Sequence, residues 1–186
     1  MRVVAGSARG RKLKAPRGME TRPTADRVKE SIFNVLSSRL IATRVLDLFA
    51  GTGSLGIEAL SRGADHAVFV EDNPRVIQII RENVEAAGFV EKATVLRREA
   101  IGAIAEFQRS GEKFDLAFAD PPYQKGWVSR VMQAMAAGPI LAPGGVLVLE
   151  HTRREPAPQL VGALVLSRQL TYGDTVVSLY QEEVFS

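Results

Sequence analysis

The apolar positions of this chain change period several times. Between Val28 and Leu40 they recur at steps of three and four (Val28, Ile32, Val35, Leu36, Leu40), the spacing of one helix face. Thr24 or Asp26 stands where an N-cap would, so a helix is predicted from there to about Leu40. From Arg44 onward, short apolar runs alternate with helical stretches. The runs at 44–49, 67–70, 93–96, 114–119 and 146–149 read as strands. The stretches 54–61, 74–87, 100–108 and 127–137 read as helices, closed by Gly63, Gly88, Gly111 and Gly138. The strand runs are apolar throughout, as in a sheet covered on both faces.

Strands alternating with helices predict βαβ units and a parallel sheet. The tail differs. Residues 163–170 and 175–180 are rich in β-formers and flank the turn signal Thr171-Tyr172-Gly173-Asp174, so they add an antiparallel edge. The expected fold is therefore α/β, a doubly wound, mostly parallel, seven-stranded sheet of Rossmann-like type. Before it, residues 1–23 carry Gly6, Gly10, Pro16, Gly18 and Pro23 around the short apolar pieces Val3-Val4 and Leu13, the pattern of a hairpin or irregular arm. The expected division is an arm and helix over 1–40 and a catalytic domain over 41–186.

Composition narrows the class. A chain of 186 residues with 46% hydrophobic and 24% charged residues builds one buried core with a small appendage. It has no cysteine, which removes disulfides, cysteine-bound metals and any thiol nucleophile. No metal site is expected. No apolar stretch approaches a membrane span, and the N-terminus lacks the apolar segment of a signal peptide. The expectation is a soluble, cytoplasmic monomer. Charge is unevenly spread. Residues 1–30 hold nine of the 24 Arg/Lys but three of the 21 Asp/Glu. A basic arm on a mildly acidic body suits a polyanion, although charge does not distinguish RNA from DNA, and a solvated charge run is the bland alternative.

Two stretches carry chemistry. The first, Asp47-Leu48-Phe49-Ala50-Gly51-Thr52-Gly53-Ser54-Leu55-Gly56, follows a strand and opens a helix. Its Gly-x-Gly-x-x-Gly spacing lets a ligand approach the backbone at a helix N-terminus. Glu71, with Asp72 beside it, ends the next strand, where a carboxylate accepts both hydroxyls of a ribose. A nucleoside cofactor follows, either a dinucleotide or S-adenosylmethionine. Asp47 favours the second, because a carboxylate there suits a cationic amino group and repels a pyrophosphate. The histidines, His66 and His151, have no motif around them; His66 reads as a surface residue and His151 as one that could face the site.

The second stretch is Phe118-Ala119-Asp120-Pro121-Pro122-Tyr123-Gln124-Lys125-Gly126. Two prolines stop a strand and hold a carbonyl in place. Asp120 and the Pro121 carbonyl together can accept both hydrogens of an amino group, and Tyr123 offers a face for a base to stack on. Lys125 could meet a phosphate. A structural Pro-Pro turn, with Asp120 capping a helix, is the plain alternative. Methylation at a pyrimidine C5 needs a thiol that this chain lacks, which favours a nitrogen or oxygen target.

With these motifs in place, the chain resembles the class I S-adenosylmethionine methyltransferases. Within them it is similar to the bacterial family that methylates the exocyclic N2 of one guanine in 16S ribosomal RNA. That closer resemblance rests on Ala5-Gly6-Ser7-Ala8-Arg9-Gly10-Arg11-Lys12-Leu13 and on Arg22-Pro23-Thr24-Ala25-Asp26-Arg27-Val28-Lys29-Glu30-Ser31-Ile32-Phe33-Asn34. It implies that Asp47, Gly51 and Gly53 meet the methionine end of the cofactor and that Glu71 and Asp72 meet its ribose. It also implies that Glu99 and Ala100 flank the adenine, and that Asp120 borders both cofactor and amino group. Arg9, Arg11 and Lys12 would touch RNA, with Arg22 at the pocket border. The substrate would be 16S rRNA, free or in a partly assembled small subunit. Amino methyltransferases acting on adenine N6 or on other amino groups share the Asp-Pro-Pro-aromatic motif and remain the alternative; a nucleotide-binding oxidoreductase or a non-catalytic binding module accounts for fewer of these residues.

Overall fold

The computed structural model describes residues 1–16, 23–36, 39–123 and 126–182, with side chains from residue 26 onward in the first helix. Arg22 and Lys125 lie outside the described residues. The elements run α1 (Pro23–Leu36), β1 (Arg44–Leu48), α2 (Ser54–Ser61), β2 (His66–Glu71), α3 (Pro74–Ala87), β3 (Ala93–Arg97), α4 (Ala100–Ser110), β4 (Phe114–Ala119), α5 (Trp127–Ala136), β5 (Leu141–Thr152), β6 (Leu160–Val161), β7 (Leu164–Tyr172) and β8 (Thr175–Glu182). The strands form one sheet in the order β3-β2-β1-β4-β5-β8-β7-β6. Pairing is parallel from β3 to β5 and antiparallel from β5 to β6. The class is the expected one. The sheet has eight strands rather than seven, because the two-residue β6 pairs with the start of β7.

Each central strand carries two apolar faces, and each face of the sheet has its own core. On one side α1, α2 and α3 pack against Val45, Phe69, Phe118 and Val148. On the other, α4 and α5 pack against Leu46, Val70, Ala119 and Leu149. Buried rows on both faces explain the continuous apolar runs of the central strands. The edge strand β3, and β7 next to the two-residue edge strand β6, are more exposed and more polar.

Several boundaries moved. The first helix ends at Leu36 rather than near Leu40. Leu40 is buried in a turn: its carbonyl accepts the Thr43 hydroxyl at 2.9 Å, and Ala42 adopts φ +57°. The fifth strand runs from Leu141, not Val146, because Pro143-Gly144-Gly145 is carried as an irregularity in the pairing with β4 rather than as a loop. The last two strands are longer than the pattern showed. Among the described residues no helix is long and apolar enough to cross a membrane.

The basic arm folds back on itself and docks on α2 and α3. Arg2 and Lys12 face each other antiparallel, with Val3 N–H donating to Arg11 O and Gly10 N–H to Val3 O, both at 2.9 Å. Val3, Ala8 and Leu13 point inward and join the α1–α3 core. Gly6 sits so close to α2 that a Cβ there would fall 1.8 Å from the Ser61 carbonyl, at φ +84°. Arg9, Arg11 and Lys12 stay exposed.

Candidate active site

A parallel sheet presents its strand ends, and the loops that follow them, along one edge. Here four neighbouring strands each deliver a carboxylate to that edge on the same sheet face. Asp47 lies in β1, in register with Phe69 of β2 and Phe118 of β4. Glu71 and Asp120 fall two residues beyond those partners, so alternation brings all three to one side. Glu150 falls one residue beyond the Ala119–Leu149 pair and joins them.

Asp47 is buried, and its Oδ2 accepts the Gly56 N–H at 2.9 Å. Burial pushes its carboxyl up to about 7; the charge of Glu71 adds to the rise and the Gly56 bond opposes it. After Asp47 the chain turns through Phe49 at φ +58°, Gly51 at φ +54° and Gly53 at φ +75°, and α2 begins. Glu71 braces this turn. Its Oε2 accepts Gly51 N–H at 3.1 Å, while Oε1 accepts Asp72 N–H at 3.1 Å and Asn73 N–H at 2.9 Å. Burial raises its pKa, against the two backbone bonds from Asn73 and Gly51.

At the end of β4, Pro121 is buried while Pro122 and Tyr123 are exposed. The Asp120 carboxyl is open to the cavity yet walled by protein. That environment, with Glu150 and then Asp47 adding negative charge, holds its pKa well above the usual carboxylate range. Tyr123 donates its hydroxyl to Glu150 Oε1 at 2.6 Å. Burial and the charges of Asp120 and Glu150 keep that phenol protonated. Burial also raises Glu150, against the Tyr123 bond and His151.

Ala50, Gly51 and Thr52 of the glycine loop, with Asp47, Glu71, Asp72, Glu99, Ala100 and Asp120-Pro121-Pro122-Tyr123, line one cavity of about 1050 Å3, whereas Gly53, expected to meet the cofactor, is buried against Phe69, Ile57 and Ile80 and is not among the lining residues. Glu99 caps α4, with its Oε2 accepting Gly102 N–H at 3.0 Å. Arg9, Arg11 and Lys12 lie on the arm, not among the lining residues. His66 hydrogen-bonds Thr94 Oγ1 at 2.8 Å at the start of β2. His151 does not face the cavity: alternation turns it to the other face of β5 from Glu150, where Nε2 meets Ser178 Oγ at 2.8 Å. Among the described residues no group of three or more His, Cys, Asp or Glu side chains is placed to hold a metal ion.

Among the lining residues missed from the sequence are two charged ones, Glu150 and Lys29. Glu150 had a signal, an acid closing an apolar strand as Glu71 does. Lys29 had a fainter one. It falls on the apolar face of α1, between Val28 and Ile32, and is 4% exposed. Its Nζ donates to Arg2 O at 2.7 Å and Ser54 Oγ at 3.1 Å, and lies 3.5 Å from Glu58 Oε2.

Residues 1–181 match the family described as Conserved hypothetical protein 95. The chain belongs to this family. A Bacillus subtilis relative, provisionally named rRNA methyltransferase YlbH, is 41% identical over 98% of this chain and 99% of its own length. Ribosomal RNA small subunit methyltransferase D of Escherichia coli K12 is 32% identical over 98% of this chain and 90% of its own. A solved E. coli structure, provisionally called methyltransferase yhhF, superposes with a TM-score of 0.87 at 32% identity. It covers 100% of this chain and 99% of its own. The family's fold is the class I methyltransferase sheet described above.

Proposed function

We propose that the chain transfers a methyl group from S-adenosylmethionine to the exocyclic N2 of a guanine in 16S ribosomal RNA. One observation carries this reading: Asp120-Pro121-Pro122-Tyr123 and the glycine loop open onto the same cavity from adjacent strands. The names of the relatives support a ribosomal RNA methyltransferase, and the exposed Arg9, Arg11 and Lys12 support a polyanionic substrate. Arg22 and Lys125 complete the proposed RNA contacts.

The donor set suits the cofactor. Asp47 keeps an oxygen for a cationic amino group, and such a cation relieves a carboxylate whose burial disfavours its charge. Glu71 and Asp72 line the cavity, and their carboxylates would accept the ribose hydroxyls. A Cβ at Gly51 would meet nothing nearer than the Phe49 carbonyl at 3.9 Å, so the loop leaves room for a ligand against its backbone. Glu99 and Ala100 border the adenine side.

S-adenosylmethionine supplies a methyl group already activated on a sulfonium, so the protein's task is alignment. Asp120 accepts one N–H of the amino group and the Pro121 carbonyl the other. Holding both hydrogens favours a pyramidal nitrogen with its lone pair directed at the incoming carbon. The prolines fix that carbonyl. Beside a cationic cofactor, Asp120 ionises more readily against the burial and the Glu150 and Asp47 charges that raise its pKa, and its carboxylate then stabilises the positive charge that grows on nitrogen and takes its proton late. The Tyr123 ring supplies a stacking face, worth roughly 1–3 kcal/mol.

The test is to incubate the protein with radiolabelled S-adenosylmethionine and 16S rRNA, partly assembled small subunits or DNA, then digest and identify the labelled nucleoside. The expected product is N2-methylguanosine; methyl-adenine would overturn the reading. Asp120→Ala should lower kcat by roughly 10²–10³-fold while calorimetric cofactor affinity changes only a few-fold. Lost affinity with surviving activity would remove Asp120 from its role.

A further inference from the structure

Glu150 has no part in the methyl transfer as derived so far, yet it is built into the same site. It stands beside Asp120, one step past a β4–β5 pair, at the spacing of neighbouring strands, about 4.8 Å. The Tyr123 hydroxyl is donated to Oε1 at 2.6 Å, which orients the carboxylate and leaves Oε2 for another donor. Both Glu150 and Tyr123 line the cavity. The proposed reacting edge of guanine carries two kinds of donor side by side, the N2 amino hydrogens and the ring N1–H. Asp120 and the Pro121 carbonyl account for the amino group. The N1–H would otherwise enter a walled cavity without a partner, which costs free energy.

We infer that Glu150 is the guanine-specificity residue of this site, its Oε2 accepting the ring N1–H of the base whose N2 amino group Asp120 and Pro121 hold. The inference rests on the guanine-N2 reading above and names how that base is told from others. A purine with a lone pair at N1 places that lone pair against the carboxylate. Adenine does so, and so does 2-aminopurine, which keeps the 2-amino group. A site built to receive a hydrogen-bond donor rejects an analogue that lacks it, because its own polar group is left unpaired. Tyr123 then has two tasks: its face stacks on the base and its hydroxyl aims the residue that reads it.

The experiment compares one synthetic RNA carrying the target guanosine with the same RNA carrying 2-aminopurine at that position. The wild type should favour guanine by roughly 10- to 100-fold in kcat/KM. In Glu150→Gln the side-chain amide can donate to the 2-aminopurine N1, so the preference should fall to within about threefold or invert. Glu150→Asp, which keeps an acceptor, should retain the preference at lower kcat/KM, and it serves if the Gln variant folds poorly. Equal loss on both RNAs, with the ratio unchanged in Glu150→Gln, would overturn the inference and leave Glu150 only a prop for Tyr123. Guanine methylated at N2 with that unchanged ratio defeats this inference alone. Wild-type methylation at adenine N6 defeats it together with the reading on which it rests.

Discussion

The N-terminal arm and the strand-end cavity are opposite in charge and in how they are held. The arm is anchored by its backbone and leaves its cationic side chains in water. Val4 and Ala5 donate their N–H groups to Glu58, and Ala8 donates to Ser61 Oγ. The cavity reverses this, with side chains as the fixed parts. Four carboxylates stand along one edge of a largely apolar wall, two of them held by backbone N–H groups and a third by a phenol. A polyanion is drawn to the first region and repelled by the second. The cavity admits what phosphate is not: a cation, or the N–H edge of a base. Separating attraction from selection in this way lets a basic protein work on RNA without filling its site with backbone phosphate.

Glu58 links the two regions, and removing it has the largest expected effect. It is fully buried, accepts Arg62 Nε at 2.9 Å as well as the two arm N–H groups, and sits 3.5 Å from the Lys29 ammonium. Burial, with a smaller push from the Arg62 charge, lowers the Lys29 pKa, and Glu58 opposes that fall. Glu58→Ala strands a buried cation and two N–H donors at once, a loss of roughly 3–5 kcal/mol. Urea unfolding should show it as a lower midpoint, and a midpoint within error of the wild type would mean that the arm is not anchored there. Next comes the arm's charge. Replacing Arg9, Arg11 and Lys12 together with Ala should leave folding intact, because all three are exposed. RNA affinity should fall roughly 100-fold at 0.1 M salt, and the slope of log K against log salt should shrink by about 2. An unchanged slope would place the RNA elsewhere on the surface.

The same contrast governs what was legible in the sequence. Elements with local punctuation stood out: α2, α3 and β4 begin and end where period, proline and glycine place them. Glu71 and Asp120 could be read because each closes an apolar run, and Asp47 because it leads into the glycine loop; strand ends gather at one edge of a parallel sheet. Glu150 offered the same signal, one residue beyond the apolar run 146–149, but it stands next to His151, and the run alone does not say which of the two faces the cavity. The anchoring of the arm was not legible at all. Its partners Glu58, Ser61 and Asn83 lie 50 residues or more away, and its bonds are made by backbone groups that any sequence carries. Lys29 was hidden by its type, since a lysine on a helix reads as solvated until the arm and α2 close over it.

The smallest expected effect probes the cavity's preference for a cation. Without a ligand Asp47 titrates near 7, because burial disfavours its charge. A bound ammonium favours the ionised form and draws that pKa down. Below pH 7 the cofactor must therefore displace a proton to bind, and its affinity should weaken by up to about tenfold per pH unit. Above pH 7 Asp47 is already ionised and this dependence vanishes. The cofactor's own amino group, with an ordinary pKa of roughly 7.7–8.0, becomes more cationic as pH falls, so it cannot cause a loss in that direction. Glu71, raised in the same sense, adds a smaller slope of the same sign. Calorimetric Kd values for S-adenosylmethionine between pH 5.5 and 7.5 test this, with proton release measured in two buffers of different ionisation enthalpy. Asp47→Asn should bind more weakly at pH 7.5 and show a flatter profile, keeping only what Glu71 and the raised carboxyls of Asp120 and Glu150 contribute. A wild-type profile that is already flat, or one that the Asn variant reproduces, would show that the buried carboxylate does not meet the cofactor's charge.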